Sequence, residues 1–187
     1  MRIDSLVTCI SGTPQFRIRE EAGKSVPTYV FYTQADLEDD LKGQLTVTGM
    51  RKRVQTADEV ITASTGDVVF SLLSGTAAFV QPAHQGYLLT QNYVRLVPPA
   101  DLDSHYLVYL LNEDRGIRRQ LYIGQQGSIT MKYTLAQLKG LELPPLPTSV
   151  NQELIGDLYL SQLKLESLRK RAAELETALV LETIKGA

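Results

Sequence analysis

The chain has 187 residues, a formal net charge of −2, 43% hydrophobic and 21% charged residues, which suits one well-cored domain of about 150 residues plus an appendage. Lys and Arg number 19 against 21 Asp and Glu, a balance that excludes a generally basic nucleic-acid binder but leaves room for a locally basic face. The single cysteine, Cys9, excludes an intramolecular disulfide framework and a cysteine-built zinc site and fits a reducing compartment.

The opening Met1-Arg2-Ile3-Asp4-Ser5 is unlike a signal peptide, and no apolar run approaches the about 18 residues needed to cross a membrane. A soluble, cytoplasmic protein without a membrane partner is expected. From Val26 to Val97, short β-branched and aromatic runs alternate with Gly, Pro and Asn. Thr28-Tyr29-Val30-Phe31-Tyr32, Val68-Val69-Phe70 and Tyr93-Val94-Arg95-Leu96-Val97 read as strands. Gly66-Asp67, Ser74-Gly75 and Gln85-Gly86 supply the turns between them, so a twisted, partly antiparallel sheet is predicted. Pro98-Pro99 ends the last strand, and Asp101 or Asp103 can cap a helix through Tyr106, Leu107, Leu110 and Leu111. A second short helix is predicted at Leu135-Ala136-Gln137-Leu138.

Leu143-Pro144-Pro145-Leu146-Pro147 stops this region, and a proline-free, leucine-rich helix of about 35 residues follows. With Thr148 or Ser149 as N-cap and Asn151 and Gln152 in the first turn, Leu154, Leu158, Leu165, Leu168, Ala172, Leu175 and Leu179 fall on alternating steps of four and three. That is an a/d seam, in which Ser161 is a polar break at d and Ala172 a narrow point at a. A helix about 50 Å long is too long to be buried on a head of this size, and its stripe needs a partner helix. A second chain is a better partner than a hairpin back onto its own domain. The fold class is thus α+β: a mostly β head with short helices over residues 1–147, then one long coiled-coil helix over 148–187.

Catalytic motifs do not assemble. Gly23-Lys24-Ser25 matches the end of a phosphate-binding loop, but Ile18 stands where the first glycine is required. His84 and His105 have no H-x-x-x-H or cysteine companion, so a surface or structural role is expected for both and no metal site. Asp39-Asp40 and Asp101-Leu102-Asp103 are explained by capping and solvated loops, and Ser74-Gly75 lacks a nucleophile elbow. No catalytic residue is assigned. Basic residues do cluster, as Arg17 with Arg19, as Arg51-Lys52-Arg53, and as Arg115 with Arg118 and Arg119, the pattern a phosphate-facing surface requires. Gln55, Thr56, Ser74, Thr76, Gln125, Gln126 and Tyr133 could add base-edge contacts.

The ordered set of segments carries more than any one of them. Gly66-Asp67-Val68-Val69-Phe70-Ser71-Leu72-Leu73-Ser74-Gly75-Thr76, then Leu89 to Pro98, then Gly127-Ser128-Ile129, then Leu138-Lys139-Gly140-Leu141-Glu142-Leu143-Pro144-Pro145-Leu146-Pro147 and the long helix follow one another. Together they resemble a target-recognition domain and its following helix from the specificity subunit of type I restriction-modification systems. Where the family often has a Glu-Gln pair after the prolines, this chain has Val150-Asn151-Gln152-Glu153.

The resemblance implies a half-subunit, since family members usually carry two recognition domains and two helices. It implies a homodimer whose arms pair antiparallel through the leucine seam, so that two heads read a palindromic, two-part site on double-stranded DNA. The basic clusters would hold phosphates while Ser74, Thr76 and the stretch from Gly124 to Tyr133, with Lys132, enter the major groove. Modification subunits carrying S-adenosylmethionine and a restriction subunit using ATP and Mg would supply the chemistry, and this chain itself would hold no cofactor. The rival reading, favoured by the net negative charge, is an adaptor or antagonist that binds modification subunits through its arm and leaves DNA alone.

Overall fold

A computed structural model describes residues 1–45, 50–125 and 132–186. In chain order its elements are β1 (Thr8–Ser11), β2 (Thr28–Val30), α1 (Gln34–Lys42), β3 (Arg53–Gln55), β4 (Val68–Ser71), β5 (Thr76–Phe79), β6 (Tyr93–Val97), α2 (Ser104–Glu113), α3 (Arg115–Gln125), α4 (Leu135–Gly140) and α5 (Ser149–Lys185). A sheet-bearing head precedes one long C-terminal helix, as the α+β reading expects.

The central sheet has the order β1-β6-β4-β5, antiparallel throughout. Val68, Val69 and Phe70 of β4 are all buried, because both faces of this strand are covered and its run is continuously apolar rather than alternating. On one face Val68 and Phe70 pack with Tyr106, Leu107, Leu110 and Leu111 of α2, and with Ile117, Leu121 and Leu138 from α3 and α4. On the other, Val69 and Ala78 meet Tyr32, Leu37 and Tyr93. Three layers result, helices over sheet over α1. The exposed edge of β5 is closed by Asn112, whose Oδ1 accepts from the Ala77 N–H at 2.8 Å and whose Nδ2 donates to the Ala77 carbonyl at 2.9 Å, a way of hiding an unpaired strand edge.

The strands read at Val68 and Tyr93 are present, and the turn glycines Gly66, Gly75 and Gly86 take positive φ. The strand expected from Thr28 to Tyr32 pairs with β3 through Val30, Phe31 and Tyr32 then bridge toward Lys52 and Leu88, and after them the chain turns into α1, which the sequence reading does not contain. Thr33 and Asp36 form a capping box there, the Asp36 carboxylate accepting from the Thr33 N–H at 2.8 Å, and Gly43 at φ 57° stops the helix in the left-handed conformation. This corrects the reading of Asp39-Asp40 as capping or solvated loop carboxylates, since both are buried on α1. Helix α3 is likewise an addition, built on Ile117 and Leu121 one turn apart and capped by Asp114, whose Oδ1 accepts from the Ile117 N–H at 2.9 Å. Asp103 is the N-cap of α2 and accepts from the Tyr106 N–H at 2.8 Å.

Candidate nucleic-acid interface and arm

Two of the basic clusters are brought together. Strands β2 and β3 form a separate antiparallel ribbon, Thr28 opposite Gln55 and Val30 opposite Arg53. The segment carrying Arg17 and Arg19 runs beside β3, tied by the Glu21 N–H to the Gln55 carbonyl at 3.0 Å and by the Arg19 N–H to the Asp58 carboxylate at 2.7 Å. Ile18 seats it on the small cluster of Phe31, Val54 and Leu88. Arg17, Arg19, Lys52 and Arg53 are exposed, Lys52 Nζ lies 5.1 Å over the Phe31 ring, and the Arg17 guanidinium lies 5.6 Å over the exposed ring of Phe16. A basic two-stranded ribbon with a neighbouring free aromatic ring has the width and the chemistry to enter a major groove or track phosphates.

Arg51 departs from its cluster. Its guanidinium pairs with Asp36, covered by the Tyr87 ring 5.4 Å away, and so is committed inside the head. Asp36 and Asp40, one turn apart on α1, flank the fully buried His84: Nδ1 lies 2.7 Å from Asp40 Oδ1, and Nε2 lies 3.2 Å from Asp36 Oδ1, off the hydrogen-bonding direction. Asp40 also accepts from the Tyr32 hydroxyl at 2.7 Å and from the Gln81 N–H at 3.0 Å. Burial alone would lower the His84 pKa, but the close Asp36 carboxylate, the Asp40 hydrogen bond and the charges of both push it up to about 9. Burial would raise Asp36, yet the close His84 ring and bonds from Thr33 and Arg51 hold it well below the usual carboxylate range. His84 is therefore a buried imidazolium clamped between two carboxylates, structural rather than surface. Sequence spacing gives no sign of it, because Asp40 and His84 are 44 positions apart.

The third cluster sits elsewhere and is partly spent on packing. Arg118 on α3 donates from Nη1 to the Gly75 carbonyl at 2.6 Å. Tyr133 donates its N–H to the Leu72 carbonyl at 2.8 Å, and its ring covers Gly75 so closely that a Cβ there would come within 2.4 Å of it. The Ser74 hydroxyl is buried without a partner and Thr76 is paired into β5 opposite Ser71. The turn expected to enter DNA through Ser74 and Thr76 is thus folded under Tyr133 and Arg118. Arg115, Arg119 and Lys132 remain exposed. Gln125 ends α3, while Gln126 and Gly127-Ser128-Ile129 lie outside the described residues. Among the described residues no group of three or more His, Cys, Asp or Glu side chains is placed to hold a metal ion, and no helix is long and apolar enough to cross a membrane.

Helix α5 begins at Ser149 with Thr148 as N-cap, although the Thr148 side chain makes no capping bond, and runs 37 residues, about 55 Å. Gln152 takes the docking role at its start. Buried, it donates from Nε2 to the carbonyls of Pro147 at 3.0 Å and Asp101 at 3.2 Å and accepts from the Asp103 N–H at 2.9 Å. One turn later Gly156 lets α5 touch the α2 backbone, where a Cβ would fall 2.5 Å from the Tyr106 nitrogen. His105 pairs with Asp157 at 2.7 Å, and the Tyr159 hydroxyl donates to Glu113 at 3.0 Å. Gln152, Gly156 and Tyr159 lie on the helix face opposite the leucine seam, and Asp157 stands on the seam's flank. Leu154, Leu158, Leu165, Leu168, Leu175 and Leu179 are 41–69% exposed, and Ala172 is exposed with them. The arm docks on its own head by one face and leaves the seam uncovered.

No protein-family model matches the sequence, and no curated protein matches it. Solved structures do. The HsdS subunit from Thermoanaerobacter tengcongensis is 21% identical over 92% of this chain and 39% of its own, with a TM-score of 0.55. A chain from a type I restriction-modification system, solved for complex assembly and conformational transition, is 20% identical over 98% of this chain and 42% of its own, with a TM-score of 0.60. The type I restriction-modification S subunit from M. genitalium is 17% identical over 97% and 41%, with a TM-score of 0.50. The chain has the fold of these S subunits and spans about two fifths of the length of the matched chains.

Proposed function

We propose that the chain is a DNA sequence-specificity subunit of a type I restriction-modification system, working as a half-subunit. The observation that carries this reading is the fold: one sheet head followed by one long helix, superposable on two fifths of chains that belong to such systems. Residues 1–147 form the recognition domain, in which Arg17, Arg19, Lys52 and Arg53 bind phosphates and the β2–β3 ribbon meets the groove. Residues 148–187 join two copies through the seam, so that two heads read a palindromic bipartite site. The chain performs no catalysis and holds no cofactor. It recruits modification subunits, which bring S-adenosylmethionine, and a restriction subunit, which brings ATP and Mg. It acts in the cytoplasm.

Two commitments of charge favour a second reading. Arg51 and Arg118 are tied up inside the head, which suits an adaptor or antagonist that engages modification subunits by its arm without reading DNA. Binding of the purified chain, alone and with a modification subunit, to a random duplex across a salt series separates the two. The specificity subunit shows a salt slope of several units, whereas the adaptor shows no salt-dependent binding.

A further inference from the structure

We infer that the arm pairs antiparallel with a second copy in one register, in which each seam residue and its opposite in the partner are related by a two-fold axis between Glu166 and Ser167. The inference rests on the self-pairing proposed above and fixes what that proposal leaves open. An isologous interface requires that if one residue contacts a second, the second contacts the first, so a helix seam that pairs with itself antiparallel must read the same in both directions.

This seam does. Starting from the axis, Leu165 faces the partner's Leu168. The next layer sets Ser161 against the partner's Ala172, the polar break against the narrow point, where two small side chains share one gap. Leu158 then faces the partner's Leu175, and Leu154 the partner's Leu179. The outermost layer sets Asn151 against the partner's Glu182, closing the apolar stretch with polar groups at both ends. The helix ends agree with the same axis: Ser149 is opposite the partner's Ile184, so α5, which runs Ser149–Lys185, is paired along its whole length.

Other arrangements match less well. A slip of one heptad in one direction puts Glu182 on the partner's Leu158, and in the other it puts Asn151 on the partner's Leu175, each burying a polar group against leucine without a partner. Parallel pairing in register stacks Glu182 on the partner's Glu182. The head meets the arm at Gly156, Tyr159 and Leu160 and again where Gly43 lies against Lys164 and Gln44 bonds Ser167, on the flank of the seam, while Leu154, Leu158, Leu165 and Leu168 themselves stay exposed for the antiparallel pair. One flank opposes pairing, Lys164 beside the partner's Arg171, a repulsion that salt screens. The two Gly156 docking points then stand about 21 residues, or about 32 Å, apart along the arm, with the heads at opposite ends.

Cross-linking of the full chain tests the register. In a Cys9→Ser background, one tagged copy carries Ser161→Cys and the other Ala172→Cys, mixed at about 0.3 M salt and oxidised mildly. The mixture gives a disulfide-linked heterodimer, while either variant alone gives little, because Ser161 and the partner's Ser161 are about 16 Å apart along the axis, beyond disulfide reach. Leu158→Cys with Leu175→Cys provides a second pair with the same expectation, since each lies about 25 Å along the axis from its own copy in the partner. A Ser161→Cys variant that cross-links efficiently to itself overturns the register. So does a chain that is dimeric by light scattering yet forms neither mixed link, an outcome that leaves the proposed dimer standing. A monomer overturns both.

Discussion

Replacing His84 by Gln tests the buried charge cluster through its pH dependence. The imidazole is raised from its ordinary 6.5 to about 9, and each unit of difference between folded and unfolded chains is worth about 1.4 kcal/mol. The protonated ring therefore stabilises the head by about 3 kcal/mol. That contribution is fully present below pH 6.5, where both states are protonated, and is lost as the pH rises through 9. For a chain of this size the loss lowers Tm by roughly 6–12 °C. Asp36 works in the opposite direction: its stabilisation is present above the ordinary carboxylate pKa and fades as the pH falls toward its depressed folded value. Stability of the parent chain should be greatest between about pH 4 and 6.5 as far as these two groups set it. The assay is a series of urea melts from pH 6 to 9 on the parent and His84→Gln, kept below the range where the raised hydroxyls of Tyr32 and Tyr93 matter. The two chains share every other titrating group, so the difference between their curves isolates His84. The variant should be less stable by about 3 kcal/mol at pH 6, with the gap closing toward pH 9. Parallel curves would refute a charged, doubly clamped imidazole.

Gly156→Ala forces a methyl to within 2.5 Å of the Tyr106 nitrogen and should cost about 1–3 kcal/mol, read as a lowered Tm and faster amide exchange in the first turns of α5; an unchanged Tm would contradict the close helix contact. Lys52→Ala with Arg53→Ala should reduce the salt slope of DNA binding by up to about two, whereas Arg51→Ala should lower Tm and leave the slope nearly unchanged. The reverse pattern in a filter-binding salt series would remove the ribbon from the interface. Leu165→Asp with Leu168→Asp should give a monomer by light scattering whose Tm matches the parent at high dilution, because both residues are already exposed within one chain; a double variant that still dimerises would place the interface elsewhere.

What the sequence makes legible follows from how local each signal is. Three consecutive apolar residues at Val68 announce a doubly covered strand, Asp103 caps the apolar helix behind it, and the four-three spacing of leucines marks a seam that is indeed left bare. The capping box at Thr33 is equally local, but α1 carries Asp36, Glu38, Asp39 and Asp40 around only Leu37 and Leu41, so its charges hide a core helix. Asp36 and Asp40 are tolerated because His84, Arg51 and Tyr32 answer them, and these pairings depend on the folded chain rather than on spacing. The same holds for the Ser74 to Thr76 turn, which reads as an exposed loop until Tyr133, far along the chain, is laid over Gly75. Gln152 stands among residues that depart from the family's Glu-Gln pair, and its three bonds to the head appear only when Pro147, Asp101 and Asp103 are brought around it.

If one chain supplies one reading head, two copies read a divided, symmetric site. Selection from a random-sequence duplex pool, with the purified chain and a modification subunit, after its solution mass has been measured, tests this most directly. A dimer should enrich two inverted copies of one short sequence at a single fixed spacing. A dimer that enriches no sequence with the modification subunit present, or a single undivided site, would contradict it.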